Sequence, residues 1–226
     1  MMFFTRRYPC ILCGKYHPKD ENKSIYKRIG ICNKCYEKLK TTKEKCFDGG
    51  EGVKAVFSPY IYDGAIADAV KEYKFSGQWL FGGLFGTMIY NELENIPYIW
   101  EFDYLIPVPL HETRLRERGY NQSEIIAEKI SKLSGVPMIN DGIFRIRETK
   151  RQSSLTGLER RTNVKGAFFA AESAVSGKRI VLVDDICTMG ETLRACSDAL
   201  LKAGAKEVIA ITLCVSKKEK ETFSLY

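Results

Sequence analysis

The chain has 226 residues, of which 45% are apolar, enough to bury the core of one ordinary domain with a small addition. Its net charge of +7 is concentrated in residues 1–54, with 13 basic against 6 acidic side chains, and in residues 111–165, with 12 against 7. No run of about 18 apolar residues is present and no apolar signal core follows the first methionine, so we expect a cytoplasmic protein with no membrane insertion.

The first predicted element is a metal-binding module near the N-terminus. Cys10 and Cys13 form one Cys-x-x-Cys pair, and Cys32 and Cys35 form a second pair after 18 intervening residues. Thiols of a cytoplasmic chain normally stay reduced, and four thiolates in two such pairs suit a closed, structural zinc site. The alternative is two unrelated pairs or a redox motif. Two spare candidate ligands lack a partner at this spacing: His17 and Cys46.

A domain boundary is predicted just after this module. Gly49, Gly50 and Gly52 follow a segment with little apolar periodicity, so we assign residues 1–52 to the zinc module and residues 53–226 to a larger domain. The module is basic and contains interleaved tyrosines, which suits contact with single-stranded nucleic acid. A solvated basic surface is the alternative.

Helices and strands then alternate along the larger domain. After an alternating run at residues 53–64, two helices are predicted at residues 65–75 and 78–93, despite adjacent glycines at 82 and 83. The apolar run at residues 104–110 predicts a strand, followed by an Arg-rich loop. The next helix is bounded by Asn121 as its N-cap, with Glu124 three residues later, and by Gly135 at its end.

The last part of the sequence predicts a strand–helix–strand unit. The strand RIVLV (179–183) precedes the helix ETLRACSDALLKAG, and EVIAITLCV (207–215) is a second apolar strand. Such units pair their strands in parallel through a right-handed crossover. We therefore predict an α/β fold with an open, mainly parallel sheet flanked by helices, and ligands at the carboxyl ends of its strands.

Two adjacent acids stand at the end of the first of these strands. Asp184 and Asp185 suit recognition of a hydroxyl-bearing ligand and indirect ordering of Mg²⁺, which keeps several of its waters. The next residues lead into a helix whose first backbone amides can bind a phosphate. A ribose 5-phosphate would satisfy both halves, whereas an acidic strand end that holds Mg²⁺ for phosphoryl transfer is the alternative. The predicted phosphate loop consists of Thr188, Met189, Gly190, Glu191 and Thr192.

The segment VLVDDICTMGET resembles the phosphoribosyl diphosphate (PRPP) signature of type I phosphoribosyltransferases. The resemblance implies that Asp184 and Asp185 contact the ribose hydroxyls and act in catalysis, while the loop wraps the 5′-phosphate. It also implies that Mg²⁺ accompanies PRPP. The sequence departs from the family pattern at Met189, where a small or hydroxyl residue is usual.

Two Arg-rich segments narrow the resemblance. PVPLHETRLRERGYNQS (107–123) and RQSSLTGLERRTNVKGAF (151–168), together with the four cysteines and the PRPP signature, resemble the ComF family over nearly the whole chain. Arginine donates bidentately to phosphate oxygens, so Arg114 and Arg118 are candidates to bind a diphosphate or a nucleic-acid backbone. The second segment falls where type I enzymes carry a loop that closes over PRPP. Its candidate ligand-binding residue is Arg151, and further cations in this region are Lys150, Arg160 and Arg161.

The resemblance implies a competence protein of natural transformation that binds PRPP and single-stranded DNA, with DNA-uptake machinery such as a helicase as a candidate partner. A working phosphoribosyltransferase that uses a nitrogen acceptor is the second hypothesis, and no acceptor is indicated by the sequence. The third is a zinc-ribbon adaptor whose larger domain has lost its ligand, for which Met189 is the main sequence argument.

Overall fold

The computed structural model describes residues 9–16, 30–42, 46–47, 52–148 and 164–216. These residues form a six-stranded sheet with helices against it and a separate two-stranded sheet. The strands are β1 (Cys46–Phe47), β2 (Val56–Phe57), β3 (Tyr60–Ile61), β4 (Tyr104–Pro107), β5 (Ile143–Arg145), β6 (Phe168–Ala170), β7 (Arg179–Cys187) and β8 (Glu207–Val215). The helices are α1 (Asn33–Tyr36), α2 (Gly64–Phe75), α3 (Leu80–Leu93), α4 (Pro97–Trp100), α5 (Glu112–Arg118), α6 (Gln122–Ser134), α7 (Glu172–Val175) and α8 (Glu191–Lys202).

The larger sheet is mainly parallel. Its order is β1-β2-β8-β7-β4, and β3 pairs with the carboxyl end of β8. Strands β2, β4, β7 and β8 pair in parallel, whereas β1 runs antiparallel to β2. This confirms the predicted open α/β sheet, and β5 with β6 forms the separate antiparallel pair.

The two longest strands lie at the centre because their sequences are apolar on both faces. In β7, Val181 and Val183 pack into one hydrophobic cluster, and Ile180 and Leu182 pack into the cluster on the opposite face. Such continuous apolar runs are typical of parallel strands covered on both sides. The strand was predicted to end at residue 183 but continues to Cys187, so both aspartates belong to its last part.

Helices α3 and α6 approach each other closely through two glycines. A Cβ atom at Gly82 would lie 2.6 Å from Cγ2 of Ile125, and one at Gly86 would lie 2.8 Å from the carbonyl oxygen of Ile126. Of the two adjacent glycines that weaken the helix prediction, Gly82 is therefore explained by this packing, whereas a Cβ atom at Gly83 would meet no atom within 4 Å. Helix α6 begins and ends as predicted, since Asn121 accepts a hydrogen bond from the Ser123 amide and Gly135 has a φ of 80°.

The segment expected to be an Arg-rich loop is instead helix α5. Its residues are good helix formers, and it ends at Gly119, whose φ of 78° is the left-handed conformation common after a helix. Helical geometry puts Arg114 and Arg118 on one face because they are four residues apart. Arg116 forms an exposed ion pair with Glu112 at 3.2 Å.

The described part of the N-terminal segment packs against the sheet domain. Cys10, Ile31 and Cys32 belong to the same hydrophobic cluster as the buried side chain of Phe85 in α3. The division at residues 52 and 53 remains a prediction. Among the described residues, no helix is both long and apolar enough to cross a membrane.

Candidate functional site

The four predicted zinc ligands come together at one point. The Sγ atoms of Cys10, Cys13, Cys32 and Cys35 all lie within 4.8 Å of one another. Tetrahedral zinc with bonds of about 2.3 Å requires sulfur–sulfur distances of roughly 3.8 Å, so the cluster is compatible with a structural metal such as zinc. The Cys32 amide also donates a hydrogen bond to Sγ of Cys10 at 3.3 Å, which orients one ligand before metal binding.

Burial raises the pKa of the Cys32 thiol and that of the Cys35 thiol, and the neighbouring sulfurs contribute to the rise at Cys35. At Cys10 burial acts in the same direction, but backbone hydrogen bonds outweigh it and lower the pKa. At least two of the four thiols are therefore hard to ionise without a cation. A divalent metal would reverse this balance because its charge stabilises thiolates. The donor set therefore fits a closed structural site and leaves no position for a reacting ligand.

A second polar centre lies at the carboxyl end of β7. The Asp184 carboxylate accepts hydrogen bonds from the Ser123 hydroxyl at 2.8 Å and from the Asp185 amide at 2.9 Å. Burial raises the pKa of Asp184 to about 6, and the neighbouring Asp185 charge adds to this effect. Keeping the Asp184 carboxylate charged in this environment therefore costs folding free energy.

A lysine from another helix compensates the second carboxylate. Nζ of Lys74, at the end of α2, lies 2.9 Å from Oδ1 of Asp185, whose side chain is only 6% exposed. Burial by itself would lower the pKa of Lys74, but the Asp185 carboxylate outweighs it and raises the pKa. The pair is thus a buried ion pair, in which removal of either partner leaves an uncompensated charge.

The predicted phosphate loop lies between these carboxylates and the first turn of α8. Gly190 immediately precedes the helix with a φ of 67°, a conformation that favours glycine. The Arg194 guanidinium donates to the Met189 carbonyl and pairs with Glu191 at 3.1 Å. These contacts hold the loop while the amides at the N-terminal end of α8 provide partial positive charge.

One cleft of about 420 Å³ joins these groups. Arg114 and Arg118 from α5 and Arg145 from β5 line it together with both aspartates. Burial lowers the pKa of Arg145, and the nearby Arg114 charge lowers it further, so positive charge is crowded here. The cleft thus combines carboxylates for hydroxyl groups with cations and helix amides for phosphates.

Most of the predicted ligand-binding residues line this cleft. Its walls include Thr188, Gly190, Glu191 and Thr192, whereas Met189 is not among the described residues that line it. The cations Lys150, Arg151, Arg160 and Arg161 lie outside the described residues. Their assigned roles, like those of the other site residues, remain predictions.

The sequence reasoning missed several polar residues of the cleft, of which Lys74, Ser123 and Arg145 interact with its charged groups. Each comes from a different element, α2, α6 and β5, and none lies beside the acidic motif in sequence. The sequence at Arg145 gives a weak indication of a site residue, because a cation follows two apolar residues in a short strand. Lys74 lies in a helix that the apolar pattern explains as packing, so its sequence gave no sign of a contact with Asp185.

Comparison with known proteins first identifies the class of domain. Residues 118–225 match the family described as phosphoribosyl transferase domain. Together with the mainly parallel sheet and the four-cysteine cluster, this match confirms the predicted phosphoribosyltransferase-like fold. The solved glutamine PRPP amidotransferase from Bacillus subtilis is 26% identical and matches 58% of this chain and 25% of its own, with a TM-score of 0.40.

The curated relatives identify the family. Competence protein ComFC of Streptococcus pneumoniae is 30% identical over 84% of this chain and 84% of its own length. Competence protein F of Haemophilus influenzae is 31% identical over 62% of this chain and 63% of its own, and the DNA utilization protein YhgH of Escherichia coli O157:H7 is 37% identical over 50% and 49%. The chain belongs to the ComF family. It spans less than two thirds of the length of the latter two relatives.

Proposed function

We propose that this chain is a competence protein that binds PRPP with Mg²⁺ in the cleft and single-stranded DNA on its basic surface. One observation carries the ligand half of the proposal. Asp184 and Asp185 line the same cleft as the N-terminal end of α8, so hydroxyl-binding and phosphate-binding groups face one space. The names of the competence relatives support the biological role.

The chemistry of PRPP matches the distribution of charge in the cleft. Its ribose hydroxyls would donate hydrogen bonds to Asp184 and Asp185, and its 5′-phosphate would accept them from the amides and hydroxyls of residues 188–192. The diphosphate would then face Arg114, Arg118 and Arg145. The two carboxylates would hold Mg²⁺ through its waters, and the ion would neutralise diphosphate charge.

Titration with PRPP and Mg²⁺ by calorimetry tests the ligand half, and helix α5 offers a matched pair of variants. Arg118 lines the cleft and lies 2.9 Å from the Gln122 side chain, whereas Arg116 pairs with Glu112 at the surface. Arg118→Gln should weaken PRPP binding about tenfold or more, because it removes a charge-assisted contact. Arg116→Gln should change the affinity less than about twofold. Absence of PRPP binding by the parent, or equal affinities of the two variants, would contradict the assignment.

The DNA half is supported by the basic N-terminal segment and by the cations around the cleft. Binding of a single-stranded oligonucleotide should weaken steeply with salt, with a slope of about −0.7 in log K against log salt for each phosphate contacted. Fluorescence anisotropy at several salt concentrations measures this slope. No measurable binding even at low salt would contradict this half and leave the PRPP half standing.

Catalysis is a second candidate, favoured by the extent of the cleft. Beyond the carboxylates it reaches Tyr62 and Val108, which gives a wall for a second reactant. The acceptor nitrogen would form a bond to C1 of the ribose as the C1–oxygen bond breaks, pyrophosphate would leave with the electron pair, and the acceptor would lose its N–H proton to water or to the departing pyrophosphate. Asp184 and Asp185 would stabilise the positive charge that develops on the sugar. Pyrophosphate release across a panel of acceptors, lost in Asp185→Asn, tests this candidate; release as fast as in the parent would contradict the role of Asp185.

A further inference from the structure

The connection between α2 and α3 exposes large apolar side chains that the core does not use. Phe75 is 64% exposed, Trp79 is 57% exposed and Leu80 is 60% exposed. The neighbouring Tyr73 shows the contrast, since it is fully buried and packs edge-on against Phe85. Two exposed aromatic rings four residues apart, on either side of the turn at Gly77, need an explanation other than folding.

A second hollow of about 330 Å³ opens at this connection. It is lined by Lys74, Phe75, Gly77, Arg114, Glu117 and Arg118. Four of these residues, Lys74, Phe75, Arg114 and Arg118, also line the main cleft, so the hollow is continuous with it. Its wall carries Arg114 and Arg118 against Glu117, and the charge of Lys74 is already paired with Asp185. The wall therefore keeps an excess of positive charge and favours a ligand with negative charge.

The Phe75 ring combines exposure with a cation. The Arg118 guanidinium lies 5.4 Å from the ring centroid, and most of the ring surface still faces solvent. An aromatic ring beside an arginine is the arrangement on which bases of single-stranded nucleic acids stack, while nearby cations follow the phosphates. PRPP has no planar ring, so it would gain nothing from this surface.

We propose that Phe75, Trp79 and Arg118, named here the aromatic corner, stack one or two bases of a single DNA strand. The phosphates of the same strand would pass along Arg114 and the exposed Lys71. Duplex DNA keeps its base faces stacked inside the helix, so the corner selects single strands. This proposal rests on the DNA half of the proposed function and adds the site at which bases are held, directly beside the cleft.

Continuity with the cleft has a consequence for both ligands. Arg118 contacts the Phe75 ring and also lines the cleft in which PRPP is placed. A strand at the aromatic corner and PRPP in the cleft therefore share one cation. Each ligand should change the affinity of the other by the same factor, because coupling between two binding sites is reciprocal.

Fluorescence of Trp79 tests the stacking directly. The chain has two tryptophans, and Trp100→Phe leaves Trp79 as the only one. Oligothymidylate should quench the Trp79 fluorescence on binding, whereas an abasic strand with the same number of phosphates should not. The full chain is used, and the readout does not depend on the stability of any corner variant.

Affinity measurements on corner variants give the size of the effect. Phe75→Ala and Trp79→Ala should each weaken oligothymidylate binding about five- to a hundredfold at fixed salt, with an unchanged salt slope. The matched control is Phe169→Ala, which removes an aromatic ring of 56% exposure from β6 in the separate sheet and should change the affinity less than about twofold.

Three results would overturn the proposal. The first is unchanged affinity in both corner variants, and the second is equal binding of the abasic and the base-containing strand. Both would remove the aromatic corner while leaving DNA binding through phosphates intact. The third is no DNA binding by the parent chain, which would remove the DNA half of the proposed function as well. PRPP binding is measured separately by calorimetry, so its failure is distinguishable from all three.

Discussion

In the four-cysteine cluster every donor is the same thiol, and Cys10 and Cys32 are buried in the hydrophobic cluster that also contains core residues of the sheet domain. In the cleft, by contrast, two carboxylates face several cations and the space remains open to a ligand. The first site is closed by its own chain, whereas the second leaves space beside its charged groups. We therefore expect that a metal at the first site would support the fold, and that the charged groups of the second site are kept at some cost to stability.

Loss of the metal should have the largest effect on stability. Cys32→Ser removes a buried ligand from a cluster that packs against the sheet domain, and zinc binding often supplies folding free energy outright. We expect a loss on the order of 5 kcal/mol, or about 10 to 20 °C in Tm for a domain of this size. Thermal unfolding with metal analysis measures both stability and zinc content.

Cys46 provides the control for this prediction. It is exposed and lies outside the group of four cysteines that approach one another. Cys46→Ser should retain the metal and shift Tm by no more than a degree or two, as most surface substitutions do. Equal behaviour of Cys32→Ser and Cys46→Ser would show that the cluster does not support the fold.

Lys74→Met tests whether the cleft depends on internal charge compensation. The substitution keeps most of the apolar stem but leaves Asp185 buried without its partner at 2.9 Å. Breaking a buried pair in this way costs about 3–5 kcal/mol. Denaturant unfolding at neutral pH measures this loss.

The matched control is Lys71→Met on the same helix. Lys71 is exposed, and its ion pair with Asp68 lies at the surface. Its replacement should leave the unfolding transition unchanged, because exposed ion pairs contribute little. If Lys74→Met also left the unfolding transition unchanged, burial of the unpaired carboxylate would not lower stability. The proposed contrast between the cysteine cluster and the cleft would then be contradicted.

The cysteine cluster tested by Cys32→Ser was predicted from the sequence, whereas the ion pair tested by Lys74→Met was not. The cysteine spacing and the apolar runs of β7 and β8 are local patterns, so they predict the metal cluster and the parallel sheet correctly. The partner of Asp185 is 111 positions earlier in the chain, and no local pattern joins it to the acidic motif. Only the packing of α2 beside the end of β7 makes that contact.

Short elements were missed for a different reason. Strands β5 and β6 have three residues each, too few to show alternation, although β5 supplies Arg145 to the cleft. Helix α5 has no buried residue, and without an apolar face its sequence shows only charge. The spacing of Arg114 and Arg118 by four positions is the one local sign that both could reach the same cleft.

The third prediction concerns the free energy of unfolding that is lost by keeping the Asp184 carboxylate charged in the cleft. Its pKa of about 6 lies above the ordinary value of 3.8, so the folded state binds the proton more tightly than the unfolded state. The destabilising effect of this group is therefore absent below about pH 4, grows between pH 4 and 6, and is complete above pH 6. Asp184→Asn should raise the free energy of unfolding by about 2–3 kcal/mol at pH 8 and by little at pH 4.

The same variant separates stability from binding. The amide oxygen of asparagine can still accept from the Ser123 hydroxyl and the Asp185 amide, so the local hydrogen bonds are retained. We nevertheless expect PRPP affinity to fall about tenfold, because an amide is a weaker acceptor for hydroxyl groups than a carboxylate. Denaturant unfolding at two pH values and calorimetry at pH 8 measure the two effects. A variant that is less stable than the parent at pH 8 would contradict the raised pKa as a source of strain.

The smallest effect is expected at Met189, the position where the sequence departs from the phosphoribosyltransferase pattern. Its carbonyl accepts from Arg194, and its side chain is not among those described as lining the cleft. The residue therefore contributes through its backbone, and Met189→Ser should change PRPP affinity less than about twofold. Arg194→Leu is the informative counterpart, since it removes the donor to that carbonyl and the partner of Glu191, and should weaken PRPP binding more than Met189→Ser does. If Met189→Ser instead raised PRPP affinity tenfold, the missing hydroxyl would be what limits phosphate binding. That result would support the hypothesis that the larger domain has lost its ligand.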